Sequence, residues 1–166
     1  MAELPLEIER KFLIRMPDIN ALERMPDCRV KRIEQTYLTG PDGKTARVRK
    51  SVEGDRCVYT KTEKTRITDI KCIEIENEIS AEEYERELSF ADPSRKTVKK
   101  TRYCIPCGAL TAEIDVYPFW DDRAIAEFEL ESEDTVIDIP DYISVIREVT
   151  NEYEYKNSQI ALRIPD

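Results

Sequence analysis

The sequence predicts an antiparallel, barrel-like α+β domain with seven or eight strands and two or three helices, and three observations lead to this fold class. Many short segments alternate charged and apolar residues, which is the period of a strand with two different faces. Turn-forming residues separate neighbouring segments, as expected for hairpins. The helical signals are too few and too irregular for repeated βαβ units. The length of 166 residues fits one domain over residues 1–166.

The alternating segments place the strands along the chain. We predict strands over residues 4–14, 29–39, 44–50, 57–62, 73–79, 96–104, 110–117 and 124–132. Turn composition at residues 40–43 links the second strand to the third, and turn composition at 53–55 links the third to the fourth. Because tight turns connect antiparallel neighbours, the predicted sheet is built mainly from hairpins.

Capping residues predict the helices between the strands. We predict helices over residues 19–25, 81–90 and 140–149, and a short helix or turn over 157–164. Asp18 is a suitable N-cap for the first helix. Ser80 and Glu83 form a capping box at the start of the second. Pro140 at a first-turn position favours the third.

The composition excludes several classes of function. The net charge of −9 argues against non-specific binding to nucleic acid. No apolar run approaches the roughly 18 residues that cross a bilayer, and no signal-peptide pattern precedes the first strand. We therefore expect a cytoplasmic protein that binds neither nucleic acid nor membrane. The chain contains no histidine, so any catalysis must use carboxylates, Lys, Arg, Tyr and metal ions.

The first predicted strand carries the most informative pattern in the chain. Its residues Glu7, Glu9 and Lys11 share one face, while Ile8 and Phe12 point mostly to the other. The two carboxylates are then about 6–7 Å apart along the strand. Such a pair could hold a hard cation, with the neighbouring ammonium group binding an anionic oxygen of a ligand.

Other strands carry charges of a single sign on one face. The acidic strands contain Glu74, Glu76 and Glu78, then Glu113 and Asp115, then Glu127, Glu129 and Glu131; the basic strands contain Arg47 and Arg49, then Lys61, then Lys100 and Arg102. Like charges repel unless an opposite charge lies between them. A polyphosphate with a divalent metal ion supplies both signs at once. The pattern leaves two interpretations open, a charged barrel interior that binds such a ligand and an ordinary amphipathic sheet.

These residues, taken together and in order, resemble the CYTH superfamily, the triphosphate tunnel metalloenzymes. The resemblance starts at the Glu7-x-Glu9-x-Lys11 motif and covers nearly the whole chain. It continues through Arg47-Val48-Arg49, Lys61, Glu74-x-Glu76-x-Glu78, Lys100-x-Arg102-Tyr103, Glu113-x-Asp115, Ala126 to Glu131, Glu148-Val149-Thr150 and Tyr155-Lys156-Asn157. The chain departs from the family pattern at Tyr59, because a threonine is frequent two residues before the lysine of the fourth strand, and at Ile73, near which the family often has Arg or Lys.

The resemblance implies an eight-stranded antiparallel tunnel that binds a triphosphate along its axis, and it implies a role for each site residue. The implied ligands of Mg²⁺ or Mn²⁺ are Glu7, Glu9, Glu127 and Glu129. The implied phosphate-binding residues are Lys11, Arg47, Arg49, Lys61, Lys100 and Arg102. The implied catalytic residues are Lys11, which holds the substrate, and Glu129 or Asp115, which orients the attacking water. The implied supporting acids are Glu76 on the tunnel wall and Glu131 beside the metal ligands.

The activity that we expect from this resemblance is metal-dependent hydrolysis of a terminal phosphoanhydride. Inorganic tripolyphosphate is the leading substrate, because the short chain has no obvious insert for recognition of a base. The alternatives are a thiamine triphosphatase, a class IV-type adenylate cyclase and a non-catalytic protein that binds triphosphate or polyphosphate. Homodimers are common among relatives, so the resemblance suggests a homodimer.

Overall fold

The structure is a computed structural model that describes residues 5–40 and 44–166. Its strands are β1 (Leu6–Arg15), β2 (Arg29–Tyr37), β3 (Lys44–Glu53), β4 (Arg56–Arg66), β5 (Lys71–Ile79), β6 (Val98–Cys107), β7 (Leu110–Val116), β8 (Arg123–Glu129) and β9 (Val145–Glu148). Its helices are α1 (Ile19–Glu23), α2 (Ala81–Leu88) and α3 (Asn157–Ile160), and a single 3₁₀ turn covers Tyr153–Tyr155. The predicted residues 4 and 41–43 lie outside the described part of the chain.

Eight of the strands close into an antiparallel barrel, as predicted. Hydrogen-bonded neighbours follow the order β5, β4, β3, β2, β6, β7, β8 and β1, and β1 then pairs with β5. Within the described residues the closing pair is short, with Leu6, Glu7 and Ile8 in register with Ile73, Cys72 and Lys71. Closure gives the sheet one inner face and one outer face, so residues that alternate along each strand belong to two different environments.

The outer face of β1, β6, β7 and β8 carries the largest apolar core. Phe12, Ile14, Ile114 and Phe128 are buried there, and α1 contributes Leu22 to the same cluster. The rings of Phe12 and Phe128 meet edge to face, with centroids 6.0 Å apart. Because this face is apolar, the polar residues between these positions, among them the acids of β1, turn into the barrel.

Helix α2 covers the outer face of β3 and β4. Its N-terminus is capped as predicted, since the Ser80 hydroxyl accepts a hydrogen bond of 3.1 Å from the Glu83 N–H. Tyr84 is buried against Val48, and its ring lies 4.8 Å from that of Tyr59. These contacts fix Tyr59 on the outside of the barrel. They also decide which residues of β4 face inwards.

One predicted helix is wrong. Residues 145–148 form the strand β9, which pairs with Phe12, Leu13 and Ile14 of β1. The β1–β5 register stops at Ile8, so the later part of the same β1 edge is free to accept another strand. Val145 and Ile146 are β-branched residues that favour a strand in this position. Pro140 therefore precedes an irregular segment and a strand rather than a helix.

A second apolar cluster occupies one end of the barrel interior. Leu13 and Ile125, which are register partners on β1 and β8, pack there with Tyr117. The residues 153–161, which we name the C-terminal segment, complete this cluster with Tyr155 and Ile160. The rest of the interior is therefore left for the charged residues. No helix in the described ranges is long and apolar enough to span a membrane.

Candidate functional site

The barrel interior holds a cavity of about 890 Å³ that is lined mainly by polar and charged side chains. Its acidic residues include Glu7, Glu9, Glu74, Glu76, Glu113, Glu127 and Glu129, and its basic residues include Lys11, Arg47, Arg49, Lys64, Arg102 and Lys156. Most of the predicted site residues are therefore brought together around one cavity. The glutamates come mainly from β1, β5, β7 and β8, whereas Arg47, Arg49 and Arg102 come from β3 and β6.

The carboxylates of β1 and β8 face each other directly. Glu9 is the register partner of Glu129, and Lys11 is the register partner of Glu127. Side chains in such positions have Cβ atoms about 4.5–5.5 Å apart, at which distance like charges repel. Burial, reinforced by the charge of Glu127, raises the pKa of Glu9 to about 7. Burial also raises the pKa of Glu129. The charges of Lys64 and Lys11 favour ionisation of Glu9, but burial and the charge of Glu127 outweigh them.

The donor set of this acidic wall suits a hard divalent cation. Mg²⁺ and Mn²⁺ prefer carboxylate oxygens, and Glu7, Glu9, Glu127 and Glu129 supply them from two adjacent strands. The Oε1 atom of Glu127 is buried, and its partner among the described residues is the Lys11 ammonium group at 3.3 Å, an ion pair that leaves room for a further ligand on this oxygen. No three carboxylates of residues 5–40 and 44–166 are grouped as a ready metal cage, so these side chains would have to converge around the ion.

Lys64 links two of the acids at the β1–β5 closure. Its Nζ lies 2.8 Å from the Glu7 Oε1 and 3.8 Å from the Glu74 Oε2. Burial raises the pKa of Glu74 to about 8, and its hydrogen bond with Glu7 acts in the same direction. Burial opposes ionisation of Glu7 as well, but that hydrogen bond and the charge of Lys64 outweigh it and lower the pKa of Glu7 to about 2. The two carboxyl groups thus share one proton at neutral pH.

The arginines of β3 form the opposite, cationic wall. Arg49 donates from Nε and Nη2 to the Gln35 Oε1, at 3.1 and 2.8 Å. The Nε of Arg47 is buried without a hydrogen-bond partner in the described structure. Neither arginine has a carboxylate within 4.0 Å among the described residues. Burial, together with the charges of Arg47 and Arg102, lowers the pKa of Arg49 to about 10. Among the described residues, no carboxylate therefore neutralises the charges of Arg47 and Arg49.

Arg102 and Lys100 are held from behind by Asp115. The Asp115 carboxylate accepts from Arg102 Nε at 2.7 Å and Nη2 at 2.9 Å, and from Lys100 Nζ at 2.7 Å. The side chains of Lys100 and Asp115 are fully buried, and neither residue lines the cavity. Burial lowers the pKa of Lys100 to about 7 although Asp115 raises it. The predicted direct contacts of Lys100 with phosphate and of Asp115 with water are therefore replaced by contacts with each other.

Lys61 is on the wrong side of the barrel for its predicted role. Its Nζ lies 3.1 Å from Glu87 Oε1 of α2, outside the barrel. The inward residues of β4 are Thr62, Lys64 and Arg66. The missed residue is thus Lys64, which the family pattern could have revealed, because Thr62 stands two residues before it. The departure from the family pattern that we noted at Tyr59 therefore disappears, because the threonine and lysine of that pattern correspond to Thr62 and Lys64.

The remaining predicted acids lie at the edge of the site. Glu76 is exposed and lines the cavity from β5. Glu131 follows the end of β8, is exposed and does not line the cavity. Glu113, for which we predicted no separate role, does line it, and its Oε2 accepts a 2.7 Å hydrogen bond from Arg102 Nη1. Tyr37 is a further buried lining residue that the charge pattern did not indicate.

A closed antiparallel barrel whose inner face carries glutamates on one side and arginines on the other defines a tunnel-type fold. The CYTH domain matches residues 5–163 of this sequence, and the chain belongs to the CYTH family. Among curated proteins, none matches the sequence.

Solved structures support the same assignment. The inorganic triphosphatase NE1496 is 30% identical, with a TM-score of 0.58, and the match covers 100% of this chain and 99% of that one. PH1819 from Pyrococcus horikoshii is 19% identical with a TM-score of 0.61, over 77% of this chain and 80% of its own. A candidate adenylate cyclase from Vibrio parahaemolyticus is 15% identical with a TM-score of 0.52, over 77% and 78%. These last two share the fold.

Proposed function

We propose that this protein is a divalent-metal-dependent triphosphatase that hydrolyses the terminal phosphoanhydride of inorganic tripolyphosphate. The family contains both triphosphatase-like and cyclase-like members among the solved structures, and the relative with 30% identity over full length is described as an inorganic triphosphatase. That relative supports the choice of reaction. The choice of ligand is supported by the chemistry of the cavity itself.

The observation that carries the proposal is the pair of unneutralised walls. Arg47 and Arg49 lack carboxylate partners among the described residues. Glu9 and Glu129 are cross-strand partners, and the charges of Lys64 and Lys11 compensate that of Glu9 only in part. Glu129 is exposed, but burying Arg47, Arg49 or Glu9 in the charged form without a partner costs on the order of several kcal/mol. A triphosphate accompanied by a divalent ion is a ligand that supplies anionic oxygens to the first pair and positive charge to the second.

The basic residues of the cavity would bind the phosphate groups of the substrate. Arg47, Arg49 and Arg102 would bind non-bridging phosphate oxygens, and planar guanidinium groups suit that geometry. Lys11, held at 3.3 Å from Glu127 Oε1 and at 3.2 Å from the Tyr155 carbonyl, would add a fixed point charge. Together these groups would keep the substrate in line for attack and stabilise the leaving diphosphate.

The acids would hold the metal and the attacking water. Glu7, Glu9, Glu127 and Glu129 are the residues that would bind Mg²⁺ or Mn²⁺. A bound ion of this class neutralises charge on the phosphate oxygens as the phosphoryl group separates. Glu129, which lines the cavity and has a raised pKa, is the carboxylate best placed to orient water. Asp115 would instead keep Arg102 in place, because it is fully buried behind it.

The test is to incubate the purified protein with tripolyphosphate, ATP or thiamine triphosphate, each with Mg²⁺ or Mn²⁺. Release of orthophosphate and pyrophosphate is followed, with Glu9→Gln as the inactive control. We expect orthophosphate from tripolyphosphate, dependent on the metal and lost in the variant. Pyrophosphate from ATP would indicate a cyclase. Release of orthophosphate mainly from thiamine triphosphate would indicate that this compound, rather than tripolyphosphate, is the substrate. No turnover of any of the three by folded protein would contradict an enzymatic role.

A further inference from the structure

Gln35 is a fully buried amide that stands behind the cationic wall of the cavity. It lies on β2, between β3 and β6, and its register partner on β3 is Arg49. No part of Gln35 is exposed, and the residue does not line the cavity itself. A buried amide costs free energy unless its polar atoms have hydrogen-bond partners. The side chains that partner this amide, Arg49 and Tyr37, both line the cavity.

The hydrogen bonds of Gln35 fix these two cavity-lining side chains at once. Its Oε1 accepts from Arg49 Nε and Nη2 at 3.1 and 2.8 Å, and its Nε2 donates to the Tyr37 hydroxyl at 3.0 Å. Because a guanidinium group only donates, Arg49 holds the amide oxygen towards itself and so turns the amide nitrogen towards Tyr37. The Tyr37 oxygen then accepts from Gln35, which directs its own O–H to another acceptor.

Gln35 holds Arg49 without neutralising its charge, whereas Arg102 is held by carboxylates. Arg102 contacts Asp115 and Glu113, each at 2.7 Å. Burial disfavours the charge of Arg102, but these two acids outweigh it and raise its pKa well above the usual value. Arg49 has only the neutral amide, and burial together with the charges of Arg47 and Arg102 lowers its pKa to about 10. The charge of Arg49 is therefore left for an anion from outside the protein.

We propose that Gln35 is a positioning residue, which orients Arg49 and the Tyr37 hydroxyl towards the phosphate groups of the ligand and keeps the charge of Arg49 available to bind them. This proposal rests on the proposed function, because it assumes that the cavity binds tripolyphosphate. Gln35 itself does not touch the ligand, since it is fully buried and does not line the cavity. A glutamate at this position would hold Arg49 in the same way but would cancel its charge.

The experiment measures tripolyphosphate binding to the full chain by calorimetry, with Mg²⁺ present, for wild type, Gln35→Glu and Gln35→Met. Gln35→Glu should melt at the wild-type temperature or above it, because the new carboxylate pairs with Arg49. It should nevertheless bind tripolyphosphate about 10- to 100-fold more weakly, because the added negative charge opposes the phosphates. Gln35→Met keeps the size of the side chain but removes its hydrogen bonds, so it should bind about 10-fold more weakly.

Thr36→Val is the matched control for loss of a buried polar group on the same strand. Thr36 is buried, does not line the cavity, and its hydroxyl lies 2.8 Å from that of Thr97. This variant should melt at a lower temperature and bind tripolyphosphate like wild type. A second comparison adds Gln35→Met to Arg49→Gln. If Gln35 acts mainly through Arg49, its substitution should cost much less affinity in that background than in wild type.

The outcomes separate a positioning role from a purely structural one. A structural glutamine predicts that affinity follows the melting temperature in every variant, and wild-type affinity in Gln35→Glu would overturn the proposal. An equal loss of affinity from Gln35→Met with and without Arg49 would overturn it as well. In both cases the proposed function would stand. Failure of wild type to bind tripolyphosphate would instead contradict the proposed function, and this inference with it.

Discussion

Glu9 and Glu129 are direct cross-strand partners on the inner face of the barrel, one on β1 and the other on β8. Like charges in this position destabilise a sheet. Two steps further into the barrel the pattern is relieved, because Lys11 stands opposite Glu127. No cation stands in register between Glu9 and Glu129, and the nearby charges of Lys64 and Lys11 compensate Glu9 only in part.

The raised pKa of Glu9 predicts how the stability of the metal-free protein depends on pH. The pKa of Glu9 is about 7 in the folded protein against a usual value of 4.5, so between these values only the unfolded chain releases this proton. The free energy of unfolding should then fall as pH rises from about 5 to 7, by about 1–3 kcal/mol from this residue. Glu9→Gln should weaken this fall. Urea denaturation at a series of pH values measures it, and an identical slope in the variant would contradict the account.

Arg49 should favour ligand binding at the expense of folding. Arg49→Gln removes a buried cation whose pKa is lowered, so the ligand-free protein should keep or gain stability while tripolyphosphate affinity falls about 10- to 100-fold. Arg32→Gln on the neighbouring strand is the control, because Arg32 is exposed. Calorimetric titration measures the affinity for tripolyphosphate, and thermal melting measures the stability of the ligand-free variants. Equal affinity in Arg49→Gln and Arg32→Gln would show that the basic wall is not the binding surface.

Substitution of Lys64 should reduce activity much more than substitution of Lys61, although the two lysines are three residues apart. Lys64 contacts Glu7 inside the barrel, whereas Lys61 pairs with Glu87 outside it. Lys64→Met should abolish most orthophosphate release from tripolyphosphate. Lys61→Met should preserve it and cost about 0.5 kcal/mol of stability, the value of a surface ion pair. Steady-state kinetics of both variants test this, and loss of activity in Lys61→Met alone would reverse the assignment.

Substitution of Asp115 should affect the stability of the fold, because its carboxylate contacts Arg102 and Lys100 and does not line the cavity. Asp115→Asn leaves Lys100 without a carboxylate partner among the described residues and leaves Arg102 only Glu113 and Glu127, which should lower the free energy of unfolding by about 3–5 kcal/mol. Chemical denaturation measures this change. If the variant were as stable as wild type but lost turnover, Asp115 would have to reach the substrate directly.

The sequence was sufficient to predict the barrel and most of its inner wall. Alternation along β1 and β8 identified Glu7, Glu9 and Glu127 as inward residues, because the intervening apolar residues need the outer core. The same reasoning failed in β4, where polar and charged residues occupy both faces. There the packing of Tyr59 on Tyr84 decides the face, and such a contact between distant elements has no local signal.

Two other features depend on tertiary structure. The strand β9 replaces a predicted helix because β1 has a free edge beyond Ile8, which the order of the strands creates. Lys100 and Asp115 are hidden because they neutralise each other near the apolar end of the interior. A charged residue on the inward face of a strand can bind a ligand or a neighbouring side chain, and alternation alone does not distinguish the two.

The most direct test of the central claim is a titration of tripolyphosphate into wild type, Glu9→Gln and Arg49→Gln, with and without Mg²⁺. The account predicts that Mg²⁺ strengthens binding to wild type and to Arg49→Gln but has little effect on Glu9→Gln, while Arg49→Gln binds weakly in both conditions. Such a result would assign the metal to the acidic wall and the phosphate to the basic wall. Binding that is independent of Mg²⁺ and unchanged in both variants would contradict the claim.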